Sequence, residues 1–189
     1  MKNSKIIYAS ILSLIFFMGC SNDDNPTPVN QEEVITTLRV ALVPETGGNS
    51  VIFQQQDLDG DGPNSPVITV SGDLMANTAY TGSITVLNEL SSPTEDISEE
   101  IQAEDEDHQF FFSFANTSGS SVTYSDSDSN GNPVGLSFVM TTAEAGSETL
   151  TIVLRHQPNK SAEGVPEGNI TNAGGDTDVQ GSFTFNVLN

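Results

Sequence analysis

Two short runs of alternating polar residues hold the most chemistry in this sequence. They follow the patterns D-x-D-x-D-G and D-x-D-x-N-G, which place oxygen ligands at alternate positions and a glycine where a cation loop turns sharply. The candidate calcium ligands are Asp57, Asp59 and Asp61 in the first run and Asp126, Asp128 and Asn130 in the second. The bidentate glutamate that completes such a loop is replaced by Ile68 and Ser137, so each site would need oxygens from elsewhere. Calcium is one expectation, and a plain hairpin turn is the alternative, because Asp-Gly and Asn-Gly favour turns.

The two histidines of the chain each lie at the end of a predicted strand. His108 precedes the predicted strand Gln109–Ala115, and His156 follows the predicted strand Thr149–Arg155. If these strands are antiparallel neighbours, the two imidazoles share an edge of the fold, near the carboxylates of Glu104–Asp107. Two imidazoles with carboxylates suit a transition metal such as zinc. The alternative is two exposed histidines with no joint role.

The charge of the chain is strongly acidic, with 26 acidic and 5 basic residues and a formal net charge of −21. A field of this sign repels phosphate backbones and concentrates cations and positively charged partners. We therefore expect cations as partners and no nucleic acid. The densest acidic segment, Glu89–Asp107, has the composition of a solvated, partly disordered loop.

Signals for catalysis are weak. No serine lies in a G-x-S-x-G pattern, and no glycine-rich loop opens a predicted helix. The single cysteine, Cys20, lies in a segment that fits lipid attachment better than catalysis. We therefore expect a non-catalytic protein.

Cys20 ends an apolar run with the layout of a bacterial lipoprotein signal. Lys2 and Lys5 form a positive region, residues 6–18 are apolar, and Gly19 is the small residue before cleavage. We predict that residues 1–19 are removed and that Cys20 carries the lipid. Because thirteen apolar residues fall short of the roughly 20 that a membrane span needs, a spanning helix is the weaker alternative. Acyl chains on Cys20 would anchor the protein to a membrane.

The residues after the cysteine favour the cell surface. The segment Ser21–Asn25 resembles the short acidic export signal that sends lipoproteins to the outer-membrane surface in the Bacteroidota. Residues 20–33 lack apolar periodicity, so they are predicted to form a flexible acidic linker. The remaining residues, 34–189, have the length of one domain, and we predict a single domain there.

Alternating apolar and polar residues in short runs, separated by glycine, proline, asparagine and aspartate, predict an all-β domain. The predicted strands are Ile35–Val43, Ser50–Gln55, Val67–Ser71, Tyr80–Leu87, Gln109–Ala115, Ser121–Tyr124, Gly135–Thr141, Thr149–Arg155 and Gln180–Leu188. About nine short strands with one apolar face each predict a two-layer antiparallel β-sandwich, immunoglobulin-like or jelly-roll.

Several segments together resemble a known family. They are residues 57–62, 66–72, 108–112, 128–136, 154–156 with 158–161, and 168–175. They resemble small lipoproteins from Flavobacteriia and their relatives, labelled type 1 periplasmic binding fold superfamily proteins, over nearly the full length. The family has no established activity to carry over. The label implies a two-lobed α/β fold, whereas the strand pattern favours the sandwich.

These observations lead to two hypotheses about function. The first is a lipoprotein of the outer membrane that captures a cation or cationic nutrient, beside a TonB-dependent transporter. The second is a structural or adhesive surface module whose loops are stiffened by calcium. They differ in their dependence on a ligand, because only the first requires tight and selective binding.

Overall fold

The computed structural model describes residues 34–60, 62–115 and 119–189. All nine predicted strands occur, with ends shifted by a few residues, and two strands of two residues each add to them. The strands are β1 Thr37–Pro44, β2 Val51–Gln56, β3 Val67–Val70, β4 Leu74–Met75, β5 Ala79–Asn88, β6 Glu95–Asp96, β7 His108–Phe114, β8 Ser121–Tyr124, β9 Ser137–Thr141, β10 Gly146–His156 and β11 Asp176–Leu188. The helices are α1 Ile97–Ala103 and a 3-10 turn Ile170–Asn172.

The strands form two packed sheets, as the all-β sandwich prediction requires. The larger sheet has the order β3-β2-β1-β5-β9-β8, with β6 added to β5, and the smaller has the order β4-β11-β10-β7. The pairs are antiparallel, except that the short β4 runs parallel to β11. The long strands β10 and β11 pair along almost their whole length and form the centre of the smaller sheet.

Alternating side chains on these strands build the core between the sheets. On β11, Phe183 and Phe185 are buried while Thr184 between them is exposed, which is the period of a half-buried strand. The ring of Phe53 on β2 lies 5.6 Å from Phe183 and 5.1 Å from Phe185, between ring centroids, so these aromatics join the two layers. Full burial of such side chains contributes about 1.5 to 3 kcal/mol each.

The acidic segment before β7 is partly helical, so the prediction of a solvated loop is wrong for residues 97–103. Ile97 and Ile101 are buried on one face of α1, one turn apart, and they pack into the main core. The carboxylate of Asp96 accepts a hydrogen bond from the Ser98 backbone N–H and caps the helix. In the sequence, these two isoleucines are surrounded by acidic residues, so they gave no clear helical pattern.

A loop covers the outer face of the smaller sheet beside β7. Phe111 of β7 points away from the main core, yet it is buried, because Val165 and Ala173 of the loop between β10 and β11 pack against it. The side-chain amide of Gln109 donates to the Val165 carbonyl at 3.0 Å and fixes the loop on the strand. Strand β7 is therefore held on both faces, which makes it a rigid support for its first residue, His108.

Within the described residues, no helix combines the length and the hydropathy that crossing a membrane requires. The predicted signal, Cys20 and the linker lie outside the described residues.

Candidate functional site

The two histidines face each other at one end of the smaller sheet. Strands β7 and β10 are antiparallel neighbours, and His108 and His156 are directly opposite in their register. The two rings stack, with 4.6 Å between centroids and 21° between planes. The predicted juxtaposition of the two imidazoles is therefore confirmed, while their role in metal binding stays a prediction.

A β-bulge in β11 brings a carboxylate to this pair. Leu154 pairs with Val179 while the next residue, Arg155, pairs with Thr177, so Asp178 is one extra residue in its strand. A bulge of this kind breaks the strict alternation of sides and re-aims a side chain. Asp178 thereby reaches the end of the core where the two imidazoles lie.

The carboxylate of Asp178 approaches one nitrogen of each ring. Its Oδ2 atom is 3.9 Å from Nε2 of His108, and its Oδ1 atom is 3.8 Å from Nδ1 of His156. One ligand atom from each of the three residues lies within 4.8 Å of the others. The side chain of His108 is fully buried, and those of Asp178 and His156 are 8% and 13% exposed. We call these three residues the His-His-Asp cluster.

A backbone carbonyl fixes the tautomer of His108. Its Nδ1 atom lies 3.0 Å from the Glu104 carbonyl oxygen, and a carbonyl can only accept a hydrogen bond, so Nδ1 carries the proton. In the neutral ring, Nε2 then presents its lone pair on the side of Asp178. This Nε2 atom is buried and has no hydrogen-bond partner among the described residues. A ligating histidine commonly has this arrangement, with the other nitrogen held by a carbonyl or carboxylate.

The donor set fits a divalent transition metal. Two imidazole nitrogens and one carboxylate oxygen suit zinc, and three protein ligands leave a fourth position for water or another ligand. With bonds of about 2.0 to 2.1 Å, tetrahedral ligand atoms are about 3.3 Å apart, so ligand atoms that now lie within 4.8 Å of one another must approach by up to about 1.5 Å. The stacked rings must also rotate so that their lone pairs converge. Both changes involve side chains at the end of the sandwich.

The turn before β11 packs against the backbone of this site. Gly175 has a φ of +69°, and a Cβ atom there would lie 2.2 Å from the His156 carbonyl oxygen. Only glycine fits this close approach and this left-handed backbone. The close contact of Gly175 with His156 therefore fixes the distance between the end of β10 and the start of β11.

The first aspartate run forms the loop of a hairpin between β2 and β3. Oδ1 of Asp57 accepts hydrogen bonds from the backbone N–H groups of Gly60 at 2.9 Å and Asp59 at 3.2 Å. Asp59 in turn accepts from the side-chain amide of Asn64 at 2.6 Å. These are bonds of a self-closed turn. Asp61 lies outside the described residues, and calcium at this loop stays a prediction.

The second run lies in the hairpin loop between β8 and β9, and a lysine meets it. Oδ1 of Asp128 accepts from the backbone N–H groups of Asn130 and Asn132, both at 2.9 Å, and Nζ of Lys160 lies 2.9 Å from Oδ2. Asp126 accepts from two further backbone N–H groups, and the side chain of Asn130 is exposed. The ammonium group thus supplies the positive charge that calcium would bring, which argues against calcium here.

Opposing effects act on the carboxyl group of Asp128. Burial is the largest and by itself raises the pKa, but the Lys160 ammonium and the N–H groups of Asn132 and Asn130 outweigh it and lower the pKa. Asp128 therefore stays ionised inside the fold, as a partner of a buried lysine.

A cleft opens next to the His-His-Asp cluster, between β1 of the larger sheet and β11 of the smaller. Its volume is about 380 Å³. Asp178 lines it from the smaller sheet, and Asp57 of the first hairpin loop lines it from the other side. One wall residue of the cleft is therefore also a member of the cluster.

Sequence reasoning missed two residues of this region. Asp178 is one of many carboxylates, and only a bulge, which the alternation pattern of β11 hides, places it beside the histidines. Lys160 is one of five basic residues in the chain, and that scarcity was the available signal that it would have an acidic partner.

Comparison of the chain with protein-family models, with curated proteins and with solved structures finds no match. The function of this chain must therefore be inferred from the geometry of its site.

Proposed function

We propose that this protein is a lipid-anchored, non-catalytic binding protein of the outer membrane that captures a divalent transition-metal cation. The ligands are Nε2 of His108, Nδ1 of His156 and a carboxylate oxygen of Asp178. The observation that carries the proposal is their convergence within 4.8 Å at the end of a rigid sheet. Capture beside a TonB-dependent transporter would give the metal a route into the cell.

Three further features support metal capture. The buried Nε2 of His108 has no hydrogen-bond partner within the described part of the chain, and a buried polar atom in that state favours a ligand. The Glu104 carbonyl holds the tautomer in which this nitrogen carries no proton and keeps its lone pair for a ligand. The net charge of −21 raises the local concentration of cations around the whole molecule.

Titration calorimetry of the domain with zinc tests the metal site. We expect tight binding of one ion and, for Asp178→Asn, a loss of affinity of at least about tenfold. Asp73→Asn is the matched control, because it removes the same charge from an exposed position beside Asn186, at the other end of β11. Copper, nickel and calcium titrations give the selectivity. Absence of zinc binding, or an equal loss in both variants, would contradict the site.

Labelling of cells with palmitate tests the anchor. We expect the label in the wild-type protein and none in Cys20→Ala, which should also be released from membranes. Protease treatment of intact cells then distinguishes the outer surface from the periplasm. An unlabelled wild-type protein that retains residues 1–19 would contradict lipid anchoring and leave the metal measurements unaffected.

A further inference from the structure

We infer that the cleft between β1 and β11 is the route by which the cation reaches the His-His-Asp cluster, and that Asp57 draws the cation into it. This inference rests on the proposed function. It assigns a role in the rate of capture to an aspartate that the sequence singled out for a different reason.

The burial of the cluster makes a defined route necessary. His108 is fully buried and the side chain of His156 is only 13% exposed, so an ion from open solvent must pass other residues of the site to reach Nε2 of His108. Asp178 belongs both to the cluster and to the lining of the cleft. An ion that enters the cleft is therefore next to a residue of the cluster.

The charge of the lining favours a cation. Among the described residues that line the cleft, the charged ones are Asp57 and Asp178, and none is lysine or arginine. Asp178 belongs to β11 of the smaller sheet, and Asp57 directly follows β2 of the larger sheet, so the two residues line the cleft from different sides. Clefts lined with one sign of charge focus the field and raise association rates.

The loop geometry keeps Asp57 at this place. Its Oδ1 atom accepts from the backbone N–H groups of Gly60 and Asp59, which holds the side chain on the rim of the cleft. Gly60 itself lines the cleft. Asp59 belongs to the same loop, but its carboxylate is bonded to Asn64 and the residue is outside the lining of the cleft.

This difference provides a matched pair of variants. Asp57→Asn and Asp59→Asn each remove one charge from the same loop, and asparagine keeps the side-chain oxygen that accepts the turn bonds. Stopped-flow mixing with zinc and a fluorescent chelator measures the association rate constant, and calorimetry measures affinity. For Asp57→Asn we expect the rate to fall about threefold at low salt, with an unchanged dissociation rate.

For Asp59→Asn we expect a clearly smaller change, and at high salt the rates of both variants should approach that of the wild type. Equal effects of the two variants, or an unchanged rate in Asp57→Asn, would overturn the route while tight zinc binding left the proposed function standing. A wild-type protein that binds no zinc would overturn both. A fall in affinity with a faster dissociation would overturn the steering role and make Asp57 a ligand instead.

Discussion

Nζ of Lys160 lies 2.9 Å from Oδ2 of Asp128, and both side chains are buried. The same ammonium group donates to the Asp105 carbonyl at 2.6 Å. One lysine thus ties the hairpin loop between β8 and β9 to the segment between α1 and β7, which carries the carbonyl partner of His108. This buried ion pair therefore stabilises the segment that positions His108 in the candidate metal site.

Replacement of this lysine by an apolar residue should be strongly destabilising. Lys160→Met leaves the Asp128 carboxylate buried without its cation, and we expect a loss of about 3 to 5 kcal/mol in the free energy of unfolding. Urea unfolding measures it. The double variant Lys160→Met with Asp128→Asn should recover part of the loss, and Arg39→Met, at an exposed position, should change stability by less than about 0.5 kcal/mol. A single variant as stable as the Arg39 control would contradict this account.

The same pair predicts the acid side of the stability profile. The folded state lowers the pKa of Asp128 from its ordinary 3.8, because the Lys160 ammonium and backbone N–H bonds outweigh the effect of burial. Its contribution to stability is therefore complete above pH 3.8 and is lost as the pH falls through the lower folded pKa. Urea midpoints measured from neutral to acid pH should fall more steeply for the wild type than for the Lys160, Asp128 double variant. Parallel curves would contradict the assignment.

The buried phenol of Tyr124 leads to a prediction for the alkaline side of the stability profile. Burial raises the pKa of its phenol to about 12, the Asp126 carboxylate acts in the same direction, and a hydrogen bond with Gln109 opposes both. Because the folded pKa lies above the ordinary 10.0, this contribution to stability is complete below pH 10.0 and is lost as the pH rises toward 12. Tyrosinate absorbance should show one late transition that is missing in Tyr124→Phe. A transition near the ordinary value would contradict the burial of this hydroxyl.

Adding a side chain at Gly82 should disturb the packing of the core, whereas the same change at Gly146 should not. A Cβ atom at Gly82 would lie 2.3 Å from the ring of Phe138, which is opposite it on β9 and fully buried. We expect Gly82→Ala to cost about 1 to 3 kcal/mol in thermal or urea unfolding. Gly146→Ala is the control, because no atom of the described residues lies within 4 Å of that Cβ position. Equal stability of the two variants would show that the ring moves aside freely.

Metal binding should involve different nitrogens of the two rings. The Glu104 carbonyl holds the proton on Nδ1 of His108, so this ring should bind through Nε2, whereas His156 offers Nδ1 to the site. Nitrogen-15 spectra of the imidazoles, recorded with and without zinc, identify the ligating atom of each ring. Coordination through Nδ1 of His108 would require the Glu104 bond to break and would contradict the geometry.

The repeating part of the fold was predictable from sequence, and the irregular part was not. Alternation along residues such as Phe183 and Phe185 depends on local pattern alone, so the strands were found and the sandwich followed. Strand β4, Leu74–Met75, is too short to show a period, and its parallel pairing depends on the end of β11. The helix over Ile97–Ala103 offered only one apolar pair among carboxylates.

The candidate site divides in the same way. His108 and His156 were predictable as a pair because each ends a strand, and antiparallel strands bring such ends together. Asp178 required knowledge of an irregularity in the pairing of β10 with β11. The aspartate runs matched a cation motif, yet Asp128 is paired with Lys160, a partner about thirty residues away in sequence that no short motif reveals.

The bulge at Asp178 separates what the core requires of β11 from what the His-His-Asp cluster requires of it. Beyond it, Phe183 and Phe185 hold β11 in the core, and this half of the strand needs no extra residue. A descendant that lost one residue here would keep its sandwich while the acidic group turned outward from the imidazoles. The length of β11 at this point would therefore distinguish relatives that keep the His-His-Asp cluster from relatives that have lost it.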